Sequence, residues 1–216
     1  MTGETAGHAH RKRGFVPDLL GRSDYAIIGE IVEPNTKVLD LGCGEGELLQ
    51  WLAANKGVDA RGVEISSAKV QRAIARGVSV FQCDIDEGLA DYPDGAFDYV
   101  ILSQTLQETR HPRKVLREML RVGRRAIVAF PNFGHWRMRI SMLFSGRAPR
   151  TELFPYEWYD SPNIHILTTL DFEALAAVEH LAIERRYYLS GHRNVTMLPN
   201  LLAEVAVYLV TASPRI

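Results

Sequence analysis

The chain has 216 residues, 46% of them apolar and 24% charged, with a formal net charge of −1. That balance suits a single globular domain with a full core and excludes a disordered, collagen-like or disulfide-framed chain. The two cysteines, Cys43 and Cys83, lie far apart with no C-x-x-C spacing, which excludes the usual structural zinc site and suits a reducing compartment.

No apolar run approaches the roughly 18 residues of a membrane span, and residues 1–13 lack the apolar core of a signal peptide. A soluble cytoplasmic protein is expected. An isoelectric point near 6.7, with no recognised DNA or RNA module, argues against nucleic-acid binding. The charge is uneven all the same: eleven of the 25 Lys and Arg residues lie between Arg110 and Arg150, where Glu118 is the only acid. Residues 1–17, poor in apolar side chains and carrying Arg11-Lys12-Arg13, read as a flexible tail. The folded domain is expected over 18–216.

A helix is predicted over 24–32, where Ser23 can cap it and Ile27, Ile28, Ile31 and Val32 share a face. Pro34-Asn35 ends it, and a strand follows over 36–41. Gly42, Gly44 and Gly46 then form a G-x-G-x-G loop that opens a helix marked by Leu48, Leu49 and Leu52. Residues 59–65 are a second strand ending near Glu64. A helix capped by Ser66 or Ser67 runs to Gly77, and 78–83 form a third strand ending at Asp84. An acidic loop with the turn dipeptide Asp94-Gly95 leads to a fourth strand, 97–102, apolar nearly throughout as a central parallel strand should be. A helix over 112–122 carries Arg113, Arg117 and Arg121 at i, i+4 and i+8 on one face. A fifth strand covers 125–130.

Pro131 interrupts this rhythm. Residues 131–168 hold one predicted helix, 136–144, and seven aromatic residues from Phe133 to Tyr159, so they read as a lid-like insertion. A helix near 171–179 and strands near 183–189 and 204–210 close the pattern. With no crossover helix between them, the last two strands read as a hairpin-like antiparallel edge. The fold class expected is α/β: one Rossmann-like domain, mainly parallel, with helices on both faces and an antiparallel edge. Ligands of such sheets lie at the carboxyl ends of the strands, here Gly42, Glu64, Asp84, Ser103 and Pro131.

Three features stand at the spacing of class I S-adenosylmethionine-dependent methyltransferases, over roughly residues 36–130. Val38-Leu-Asp40-Leu-Gly42-Cys-Gly44-Glu-Gly46 resembles their first motif, Glu64 ends the second strand, and Cys83-Asp84-Ile85 precedes a loop of the type Pro93-Asp94-Gly95-Ala-Phe97-Asp98. The resemblance implies the cofactor S-adenosylmethionine, held by Asp40, Gly42, Cys43, Gly44, Gly46, Glu64, Ile65, Asp84, Ile85 and Ser103. In that reading the loop amides and the following helix N-terminus take the methionine carboxylate, and Asp40 attracts the ammonium. Glu64 accepts from both ribose hydroxyls. Asp84 accepts from the adenine amine, and the Ile85 N–H donates to a ring nitrogen. Cys83 departs from the glycine common at its position, which narrows the adenine pocket.

From about residue 18 to 210 the chain also resembles a narrower family, the methionine biosynthesis protein MetW. The carrying stretches are Leu102-Ser-Gln-Thr-Leu-Gln107, Phe130-Pro-Asn-Phe-Gly-His-Trp-Arg137, Pro155-Tyr-Glu-Trp-Tyr-Asp-Ser-Pro-Asn-Ile-His165 and Leu198-Pro-Asn-Leu-Leu-Ala-Glu204. That resemblance implies a protein of methionine synthesis that associates with homoserine O-acyltransferase, MetX, and supports its activity. The alternative is a small-molecule methyltransferase. A dinucleotide-dependent oxidoreductase is disfavoured by Glu47 where G-x-G-x-x-G would place glycine. No catalytic residue is assigned. Gln104 can hydrogen-bond an acceptor but cannot act as a base; His111, His135 and His165 are the nearest bases, and no metal-ligand cluster assembles.

Overall fold

The computed structural model describes residues 22–151 and 154–213; the expected tail over 1–17 lies outside the described residues. β1 (Lys37–Leu41), β2 (Asp59–Glu64), β3 (Ser79–Gln82), β4 (Phe97–Ser103) and β5 (Gly123–Pro131) pair in parallel. β6 (Leu181–Ser190), the two-residue β7 (Arg193–Asn194) and β8 (Val205–Ala212) complete an eight-stranded sheet in the order β3-β2-β1-β4-β5-β8-β6-β7. β1 has β2 on one side and β4 on the other. The strand order therefore reverses between β1 and β4, the switch point where ligands of open α/β sheets settle.

Alternation along the strands divides the core into two layers. Val38, Ile101 and Ile127 pack with α1 (Ser23–Ile31) and α2 (Glu47–Lys56), joined by Ala73 of α3 (Ser67–Ala75). Their neighbours Leu39, Leu102 and Val128 face the opposite way, onto Leu116 and Met119 of α4 (Pro112–Val122) and Phe172 of α6 (Thr169–Val178). The helix ends follow from local chemistry. α2 ends at Gly57, which takes the left-handed φ of 63° a C-cap favours. α4 has Pro112 in its first turn, and the Asp86 carboxylate accepts from the N–H groups of Arg110 and His111 just before it. α6 opens with a capping box between Thr168 and Asp171.

Three points of the sequence reading gain detail here. The last two long strands pair antiparallel and make the antiparallel edge of the sheet as expected, with β8 inserted between β5 and β6, antiparallel to both, and β7 at the rim. Ser23 does not cap α1; Arg22 holds the cap position, and no side chain there accepts a backbone N–H. The arginines that share a face of α4 are paired with acids and carbonyls. Arg113 and Arg117 both clasp Glu179 at 2.5 Å, and Arg121 binds Glu118, Asp94 and the carbonyls of Leu89 and Tyr92. Between 132 and 168 the regular element among the described residues is α5 (Trp136–Ser145). A short α7 (Pro199–Leu202) and a 3₁₀ turn, Leu106–Glu108, add to the expected elements.

Candidate functional site

At the carboxyl ends of β1–β4 opens a cavity of about 540 Å³. Eight of the ten residues expected to hold a cofactor line it: Gly42, Cys43, Gly44, Glu64, Ile65, Asp84, Ile85 and Ser103. Asp40 and Gly46 do not. Gly46 takes a left-handed φ of 79° as the cap of α2, against Val78 and Ala73. Asp40 is buried beneath the floor. Loss of solvent, together with the Asp24 and Glu64 charges, outweighs the attraction of Arg22 and pushes its carboxyl up to about 8.

The backbone of the glycine loop explains its residue types. Gly42 has φ +74°, and a Cβ there would come within 2.6 Å of Thr105 Oγ1. Gly44 has φ +60° and nothing within 4 Å of where a Cβ would stand, so it keeps the cavity mouth open. Four of the five amides of residues 42–46, however, are already engaged. The N–H groups of Gly42 and Cys43 both donate to Val63 O, that of Gly44 to Glu64 Oε2 at 3.0 Å, and that of Gly46 to Cys43 O. They do not stand ready for a ligand carboxylate. The Cys43 thiol packs towards Gly62 and Leu49 rather than serving as a reactive group; burial raises its pKa well above an ordinary thiol's.

Glu64 is 5% exposed. Its two oxygens are fixed by the Gly44 and Ser66 N–H groups, at 3.0 and 2.8 Å, which leaves lone pairs on both. Asp84 accepts the Asp86 N–H through Oδ1 and pairs with Arg110 through Oδ2. Ile65, 62% exposed, and Ile85 give this end of the cavity its apolar walls.

Several lining residues escaped the sequence reading. Arg22 and Tyr25 come from the start of α1, Glu108 from the 3₁₀ turn, and Arg110 and Ile164 from loops. Arg22 grips both oxygens of Asp24 at 2.9 and 2.7 Å, donates to Ser103 Oγ at 2.9 Å and lies 4.3 Å from the Tyr25 ring centre. Burial works against the Arg22 charge, but the Asp24 hydrogen bonds outweigh it and hold the group protonated. Ser103 in turn donates to Asp24. The Arg-x-Asp-Tyr spacing at 22–25 was the available signal, and its link to a strand 80 residues on is tertiary. Gln104 takes φ +56°, unusual for a residue with a side chain, and its N–H is anchored on Ala129 O.

None of the three histidines lines this cavity. His111 serves as the cap position of α4. His135 is 6% exposed against Trp136, and burial lowers its pKa. His165 has no partner for Nε2 among the described residues, nor does Gln107 Oε1, while both the Ile164 and His165 N–H groups donate to Gln107 O. Glu108 is the lining carboxyl with a raised pKa, lifted by desolvation against the pull of Lys69. Among the described residues no cluster of His, Cys, Asp and Glu could hold a metal ion, and no helix is long and apolar enough to cross a membrane.

An open sheet with this switch-point cavity is the architecture of the Rossmann-like S-adenosylmethionine-dependent methyltransferases. One of these, from Archaeoglobus fulgidus, superimposes with a TM-score of 0.67 over 89% of this chain and 93% of its own, at 14% identity. The [4+2]-cyclase SpnF matches at 0.63 over 87% and 80%, at 18% identity. The fold is thus shared by proteins of different chemistry and names no reaction by itself. Within that class the chain belongs to the family described as methionine biosynthesis protein MetW, whose pattern matches residues 22–210. It is similar to the bifunctional methionine biosynthesis protein MetXA/MetW of Rhodopirellula baltica, 32% identical over 203 residues, which are 88% of this chain and 33% of that protein. The chain spans about a third of the length of the curated relatives it matches first.

Proposed function

We propose that the chain is a cytoplasmic S-adenosylmethionine-binding protein of methionine biosynthesis that associates with homoserine O-acyltransferase, MetX, and supports its activity. The observation that carries the cofactor is the row of acceptors at strand ends, Asp84, Glu64 and Ser103, beside the open backbone at Gly44. Glu64 would hold the ribose hydroxyls, Asp84 the adenine amine, and Ile65 and Ile85 the adenine faces. A cavity rich in carboxylates suits a ligand with a sulfonium and an ammonium charge better than a dinucleotide with its phosphates. When bound, the cofactor supplies an electrophilic methyl group; the chain's residues orient it and screen it from water.

Two observations support the partner. A relative joins a MetXA and a MetW in one chain. Here α5 buries Met138 alone and presents Trp136, Ile140, Leu143 and Phe144 at i, i+4, i+7 and i+8 to solvent, Phe144 82% exposed. Arg137 and Arg139 lie alongside, a composition typical of interface centres. The test is copurification with the acyltransferase, with acyl transfer measured with and without this chain at several cofactor concentrations. A stable complex and a changed rate are expected; no complex and no effect on rate would refute the partner role.

A second reading, a small-molecule methyltransferase, is favoured by the left-handed Gln104 and the raised Glu108 carboxyl on the same wall. Glu108 would take a proton from the acceptor while Gln104 orients it. That reading requires Glu64-dependent transfer of labelled methyl groups into a metabolite extract.

A further inference from the structure

We infer that Arg22 is the carboxylate-binding residue of the cavity and that it selects ligands carrying an intact amino-acid end; this rests on the S-adenosylmethionine reading above. The sequence pointed to the glycine-loop amides for that task. In the structure the N–H groups of Gly42, Cys43, Gly44 and Gly46 are spent on Val63 O, Glu64 and Cys43 O, and the remaining loop amide belongs to the acid Glu45. The N-terminus of α2 is no better placed, because the acids Glu45 and Glu47 stand there, paired with Arg72 and Arg76. Glu47 also lines the cavity, where its charge repels a carboxylate.

The cations on the cavity wall are Arg22, Lys69 and Arg110. Arg110 is committed to Asp84 and Asp86, at the adenine end. Lys69 lies on α3, beyond β2. Arg22 is tied to Ser103, the last residue of β4. From the end of β3, near Asp84, to the end of β4 is three strand steps, about 14 Å at ordinary strand spacing. A nucleoside joined to an amino acid spans that distance, so its carboxylate reaches Arg22 when its adenine sits at Asp84.

The guanidinium has donors to give. Of its five N–H groups, that on Nε and those on Nη2 are directed to Asp24 and Ser103, while Nη1 has no acceptor among the described residues. The group is held by the Asp24 fork on one edge and by the Tyr25 ring on its face, and its side chain is 33% exposed. A planar donor locked before the ligand arrives loses little freedom on binding it.

Isothermal titration of the full chain with S-adenosylmethionine and with its decarboxylated analogue tests the assignment. The unaltered chain is expected to prefer the former. Arg22→Gln should weaken S-adenosylmethionine about ten- to a hundredfold while changing the analogue by less than about threefold, and Arg22→Lys should keep part of the preference. Equal weakening of both ligands makes Arg22 a support for the junction of α1 and β4 and overturns the assignment, as does no change in either. Should Arg22→Gln fail to fold by circular dichroism, the ratio of the two affinities in Arg22→Lys decides: a reduced ratio supports the assignment and an unchanged one overturns it. If the unaltered chain binds neither ligand, the cofactor reading itself fails, which is distinct from loss of selectivity at Arg22.

Discussion

Gly62 lies on β2 where the Cys43 side chain packs, and a Cβ there would collide with Cys43 Sγ and crowd Leu49. Gly62→Ala should therefore cost about 1–3 kcal/mol of stability in denaturant unfolding, from overpacking. The same change in a Cys43→Ala background should cost clearly less, because the thiol that blocks it has gone. Asp40 makes a different prediction. Its folded carboxyl keeps a proton up to about pH 8, whereas in an unfolded chain it ionises near pH 3.9. Folding takes up a proton between those values, so this group's contribution to stability falls as pH rises from about 4 to about 8 and is level above. Asp40→Asn should flatten that slope in urea unfolding curves collected across the range. The sequence shows Asp40 beside the glycines, but not that the chain closes over it; the charges that surround it come from two other segments, Arg22 and Asp24 from the start of α1 and Glu64 from the end of β2.

The βα units with the strongest patterns match the structure most closely, from β1 through β5. Apolar runs and glycine or proline punctuation are local properties, and they decide the element without help from the rest of the chain. The acceptors at the strand ends were legible for the same reason, since a strand's end fixes where Glu64 and Asp84 must stand. Pairings across the molecule were hidden. The α4 arginines look like a free cationic stripe until α6 delivers Glu179 between Arg113 and Arg117. The place of β8 was hidden too, because alternation reveals a strand and says nothing about its neighbours. Arg22 escaped attention because its Arg-x-Asp-Tyr spacing becomes meaningful only once Ser103 arrives from a distant strand.

Across the whole molecule, the large exposed apolar side chains fall mainly in 136–170 and 197–202, with Leu143 and Trp158 both 76% exposed. If this face meets the acyltransferase, Leu143→Glu with Phe144→Glu should abolish copurification while leaving S-adenosylmethionine affinity within about twofold, since α5 lines no part of the large cavity. Persistence of the complex would place the contact elsewhere. The position of β8 also sets an order for events during synthesis. Strands β5 and β6 leave the ribosome with a gap between them that a later segment must fill. Until Val205–Ala212 has emerged, the nascent chain carries two unpaired sheet edges in the middle of its fold. Such edges recruit other strands readily. Pairing of Val205–Ala212 with β5 and β6 closes both edges at once, so this one strand decides whether the middle of the sheet is sealed.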